Sequence, residues 1–142
     1  MATKTRAVLD TNVFVSGLIN PKGSPAAVLN LLRAKRFVLV SSPAINEEIL
    51  EVLNRPYIRD QYGLADRIFD VAFLLWEVAD LVIDPPDVRV CTDPDDDKFL
   101  AAAVEGEANY LVTGDVGDLL HLHKYKDVAI VSPREFLSAL KP

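Results

Sequence analysis

Four short runs of uninterrupted apolar residues recur along the chain, and each opens a stretch in which apolar residues return at helical spacing. They lie in "RAVLD" at 6–10, "FVLVSS" at 37–42, "NYLVTGD" at 109–115 and "DVAIVS" at 127–132. A strand that is apolar on both faces must be covered on both, and only a parallel sheet with helices above and below does this routinely. The spacing predicts helices over 24–36, 42–55, 63–80, 93–108 and 132–140. It predicts an extended, proline-interrupted segment over 81–90 and a short helix or turn over 118–125. Two helices begin with a Ser-Pro pair: Ser24 and Ser42 are expected as N-caps, with Pro25 and Pro43 at the first helical position, and Pro56 closes the second. The expected fold is a three-layer α/β/α sandwich around a parallel sheet of about four to five strands.

At 142 residues, half of them apolar and a quarter charged, the chain reads as one globular domain spanning 1–142. No apolar stretch reaches the roughly 18 residues that a membrane span needs. The first strand follows so soon after Met1 that no room is left for a signal peptide, which makes the cytoplasm the expected location. A single cysteine, Cys91, excludes an internal disulfide and a multi-cysteine metal site. The net charge of −6 argues against binding nucleic acid by broad attraction, unless the acids are gathered where cations reverse the local sign.

The acids are gathered. Asp10 ends the first strand, and "VTGD" brings Thr113 and Asp115 to the end of a later one. "TDPDDD" puts Asp93, Asp95, Asp96 and Asp97 at the start of a helix, and Glu47 and Glu48 occupy the early turns of the helix after the second strand. Singly, each fits a structural role, because Asp caps helices and acids suit the positive end of the helix dipole. Jointly they come to the carboxyl rim of one sheet, where open α/β sheets bind ligands. Carboxylates crowded there repel unless cations hold them, and hard oxygen donors suit Mg²⁺ or Mn²⁺.

The stretches "LDTNVFVSGL" at 9–18, "SSPAINEEILEVLNRP" at 41–56, "DPDDDKFLAAA" at 93–103 and "ANYLVTGD" at 108–115 resemble the PIN-domain ribonucleases, which include VapC-like toxins of toxin–antitoxin pairs. The order matches over nearly the whole chain. The resemblance implies that Asp10, Glu48, Asp96 and Asp115 are the catalytic acids, with Asp10, Asp96 and Asp115 as metal ligands. Glu47 stands beside Glu48 and Asp97 beside Asp96 as alternates, and Asp93 is an assisting acid. "GDVGDLL" inserts one residue before Asp118, where the family often carries a further acid, so Asp118 is also an alternate. Asn12, Ser16 and Thr113 are expected to orient carboxylates or the attacking water. The implied reaction is Mg²⁺- or Mn²⁺-dependent hydrolysis of RNA, in line, leaving 5′-phosphate and 3′-hydroxyl ends. The implied partners are an RNA substrate and an antitoxin protein.

Flanking cations for RNA are sought in Arg33, Lys35, Arg36, Arg55, Arg59, Lys124 and Lys126, and stacking groups in Tyr57, Tyr62 and Trp76. The helix over 63–80 carries Ile68, Phe69, Val71, Ala72, Leu74, Leu75 and Trp76, more apolar surface than packing on one sheet requires. The surplus reads as a dimer interface or an antitoxin groove. His121 and His123 point to different sides of a helix and read as surface or packing residues. A dehalogenase-type phosphatase would need an acid where Asn12 stands, and a receiver domain would need paired acids after the first strand. A non-catalytic PIN-like binding module would show erosion of the acidic quartet, and none is eroded.

Overall fold

The computed structural model describes residues 4–114 and 119–140. Among them, β1 (Arg6–Leu9), β2 (Val38–Ser41), β3 (Asp80–Leu81), β4 (Tyr110–Val112), β5 (Lys124–Tyr125) and β6 (Val128–Val131) form one sheet in the order β3-β2-β1-β4-β6-β5. Every pairing is parallel except that of β5 with β6, so the expected parallel sheet gains a short antiparallel edge. One row of the register runs Leu39, Ala7, Tyr110, Ala129 across four strands. Leu9, Leu111 and Val40 are almost wholly buried, as strands covered on both faces require.

The helices are α1 (Thr11–Ile19), α2 (Ser24–Arg33), α3 (Pro43–Leu53), α4 (Pro56–Arg59), α5 (Ala65–Phe73), α6 (Asp97–Glu105), α7 (Leu119–Leu122) and α8 (Pro133–Ala139). From β1 the chain steps outward through β2 to β3, and α6 then carries it back across β2 and β1 to β4. Because parallel crossovers are right-handed, that reversal places α6 on the face opposite the earlier helices. The boundary between β1 and β4 is therefore the switch point of the sheet, where the strand ends leave a crevice.

Local chemistry explains most boundaries. Ser42 accepts from the Ile45 N–H and caps α3 as expected, with Pro43 following it. Ser132 and Glu135 form a reciprocal capping box on α8. At α2 the cap is Gly23, not Ser24, which is already the first helical residue. The predicted helix over 63–80 is α5 followed by a wider π-helical turn, Leu74–Val78, after which β3 begins at Asp80. That turn is closed by the Ala79 N–H on the Leu74 carbonyl at 2.9 Å, and the Leu75 carbonyl accepts from buried Asn46 at 2.9 Å. The predicted helix over 93–108 opens as a 3-10 turn, Pro94–Asp96, capped by Asp93. Helix α1, for which the apolar periodicity of 11–19 made no separate case, follows directly on β1.

Phe14, Phe99 and Phe136 are the largest fully buried side chains, and Phe136 meets Phe37 and Tyr110 edge-on at 5.0 and 5.5 Å. Gly106 lets α6 close on β2: a Cβ there would stand 2.4 Å from Val40 Cγ1 and 2.9 Å from the Ala102 carbonyl oxygen.

Candidate active site

The switch point places Asp10 at the C-terminal end of β1. Its backbone N–H continues the ladder to the Val112 carbonyl at 2.9 Å, and its carbonyl accepts from Val13 as α1 begins. Its side chain, only 6% exposed, accepts at Oδ1 from the Thr11 N–H (2.6 Å) and at Oδ2 from the Thr113 hydroxyl (2.7 Å) and the Asn12 amide (3.2 Å). Asp10 is thus also the N-cap of α1, the structural role that an aspartate at this place fits singly. A buried carboxylate is costly unless donors or cations meet it, and three donors, two from α1 and one just past β4, supply part of that.

Asn12 also joins the two strand ends, since its Oδ1 accepts from the Gly114 N–H at 3.0 Å. Thr113 is fully buried and Ser16 is exposed at the rim. Asp115 and Asp118, the acids expected just beyond Gly114, lie outside the described residues.

A cleft of about 430 Å³ opens here, lined by Asp10, Thr11, Asn12, Val15, Ser16, Val52 and Asp96. Asp96 therefore shares the cleft with Asp10. Its neighbour Asp97 turns away and accepts the backbone N–H groups of Val90 (3.0 Å) and Cys91 (2.8 Å), latching the preceding loop to the start of α6. Burial works to raise the Asp97 pKa, but those N–H groups outweigh it and hold the carboxyl below its ordinary value. Asp93 accepts from the Asp95 N–H and shapes the 3-10 turn.

Of the two glutamates, Glu47 is exposed and Glu48 is half-buried. Glu48 Oε2 accepts from the Thr11 hydroxyl, and Oε1 pairs with Lys98 Nζ at 2.5 Å. The same ammonium donates to the Asp95 carbonyl at 2.7 Å. The apolar periodicity of 93–108 gave no reason to single out Lys98 or Thr11. A signal for Lys98 was present, because a lysine in the acid-rich first turn opposes the helix dipole and needs acidic partners.

The expected RNA-flanking cations are elsewhere. Arg55 pairs with Glu51 and Arg59 with Asp60, while Lys126 lies over the Tyr125 ring. Arg33 and Lys35 line a second groove of about 450 Å³ with Leu32, Phe69, Phe73 and Val78. His121 and His123 are exposed, and neither lines the acidic cleft. Tyr57, Tyr62 and Trp76 are also exposed, at 60%, 47% and 40%.

Among the described residues no group of three or more Asp, Glu, His or Cys side chains is set to hold a metal ion. The pair that shares the cleft, Asp10 and Asp96, offers only carboxylate oxygen, the donor type that suits Mg²⁺ or Mn²⁺. No helix of the described residues is long and apolar enough to cross a membrane.

A family model described as PIN domain matches residues 6–117. An uncharacterized protein of Methanocaldococcus jannaschii is 34% identical over 142 residues, covering 94% of this chain and 90% of that protein. Among solved structures, the chain is similar to one from VapBC2 of Rickettsia felis bound to a DNA fragment from their promoter, with a TM-score of 0.59 and 15% identity. It is also similar to one from FitAcB of Neisseria gonorrhoeae, with a TM-score of 0.56 and 19% identity. In both cases 90% of this chain and 98% of the other are covered. At those identities the likeness is one of fold.

Proposed function

The chain belongs to the PIN-domain family, and on that premise we propose that it is a divalent-metal-dependent ribonuclease, the toxin of a toxin–antitoxin pair. The observation that carries the reading is Asp10, held at the switch point by three donors and facing one cleft with Asp96. Asp10 and Asp96 would hold Mg²⁺ or Mn²⁺, with Asp115 as the third acid, and Asp96 rather than Asp97 takes this role because Asp97 is engaged by Val90 and Cys91. When bound, such an ion lowers the pKa of a coordinated water and offsets charge on the phosphoryl oxygens. Thr11, Asn12 and Thr113 keep the Asp10 carboxylate at one orientation, so the donors are pre-set rather than assembled at each turnover. Ser16 at the rim offers a hydroxyl to the substrate backbone or the attacking water.

The substrate is RNA, and the enzyme works in the cytoplasm as a homodimer restrained by an antitoxin. Exposed Phe69 and Phe73 beside Arg33 and Lys35 support an association surface for the antitoxin or a second copy. The test is cleavage of a pool of labelled single-stranded RNAs with Mg²⁺, with Mn²⁺ and with EDTA, using wild type, Asp10→Asn and Asp96→Asn. The expected outcome is metal-dependent cutting, reduced by about a hundredfold or more in each variant. Folded, metal-binding protein that cuts none of the pool would favour a non-catalytic RNA- or protein-binding module.

A further inference from the structure

The Lys98 ammonium is joined to the acidic cleft through Glu48 and Thr11, of which Thr11 lines it. Lys98 occupies the second position of α6, where the positive end of the helix disfavours a cation. Two acceptors hold it there, Glu48 Oε1 at 2.5 Å and the Asp95 carbonyl at 2.7 Å. Only 21% of the lysine side chain and 28% of that of Glu48 is exposed, so the pair is partly shielded from solvent. The other Glu48 oxygen accepts from the Thr11 hydroxyl, and the Thr11 N–H donates to Asp10. A continuous path thus runs from the ammonium through Glu48 and Thr11 to the carboxylate in the cleft.

We propose that Lys98 is a resident cation that takes the place of a second divalent ion, so that the site holds one metal ion per chain and Glu48 positions rather than ligates. This deepens the nuclease reading and rests on it. Charge supports the division. The proposed ligands Asp10, Asp96 and Asp115 carry the negative charge that answers a divalent cation, whereas Glu48 is already neutralised by a tethered ammonium. A second ion at Glu48 would have to displace that ammonium and stand beside its positive charge, which a shielded pocket penalises more than open solvent does. Glu48 instead fixes Thr11, which in turn orients Asp10, and Lys98 neutralises Glu48 from the first turn of α6.

The test is a Mn²⁺ titration followed by electron paramagnetic resonance and calorimetry, on wild type, Lys98→Met, Lys98→Arg and Asp10→Asn, with folding checked by thermal melting. The expected result is one ion per chain for wild type and Lys98→Arg, and a second, weaker ion for Lys98→Met. Asp10→Asn is expected to lose the first ion. Two ions in the wild type, or a single ion in folded Lys98→Met, would overturn the proposal. If Lys98→Met fails to fold, Lys98→Gln replaces it with the same two outcomes. A wild type that binds no Mn²⁺ would overturn the metal-site reading itself, an outcome distinct from the wrong stoichiometry.

Discussion

Thr113 makes one of the contacts that hold Asp10 among the described residues, and it is fully buried, so its hydroxyl has no solvent to replace it. Thr113→Val keeps the shape but removes the donor. The expected cost is about 1–3 kcal/mol of stability without metal, the desolvation of a buried acceptor left short of a partner. Denaturant unfolding measures it. Mn²⁺ affinity should fall by roughly tenfold to a hundredfold in the same variant, because the ligand loses its orientation. An unchanged affinity would detach Thr113 from the site. At the same scale, adjacent acids take separate duties: Asp96 faces the cleft, Asp97 latches the backbone of Val90 and Cys91, and Asp93 caps a turn.

Among the elements, α8 shows how a local rule becomes a pH dependence. The Glu135 carboxylate accepts from the Ser132 N–H, and this contact holds its pKa below the ordinary glutamate value. A folded value below the unfolded one means that the unfolded chain binds the proton more readily. The contribution is therefore complete above about pH 4.3 and is lost as the pH falls through the depressed value. Glu135→Gln should be less stable than wild type by about 0.5–1 kcal/mol at pH 7, the size of an exposed helix-cap contact, and the gap should close toward pH 3. Melting curves of both proteins across that range test it, and a gap that persists at low pH would assign the contribution to something other than the carboxylate. The break between α5 and the π-helical turn belongs to this scale too. Asn46 on α3 donates to the Leu75 carbonyl, a contact between residues 29 apart that no local pattern announces.

For the whole molecule, the apolar surplus of α5 lies outside. Phe69 is 77% exposed and Phe73 57%, and both line the larger groove with Val78. If this face joins two copies, Phe69→Ser with Phe73→Ser should yield a monomer in sedimentation velocity where the wild type is a dimer, with little loss of stability because neither ring is in the core. A wild type that sediments as a monomer would leave the face to the antitoxin.

The alternation of apolar strands with helical stretches determined the layered α/β architecture, because strands such as "FVLV" have no other way to cover both faces. The polar residues at strand ends determined that Asp10 and Thr113 would meet at the carboxyl rim, since strand direction and crossover handedness leave one crevice for them. Tertiary structure decided the rest. Successive helix residues differ by about 100° in direction, so whether Asp96 or Asp97 faces the cleft depends on where the 3-10 turn gives way to α6. Glu48 and Lys98 are 50 positions apart, and only the approach of α3 to α6 joins them. The short edge β5 and the π-helical turn likewise depend on partners elsewhere in the fold, Ala129 and Val128 for the one and Asn46 for the other. Periodicity reports which face of an element is buried; the partner across that face is a property of the packed chain.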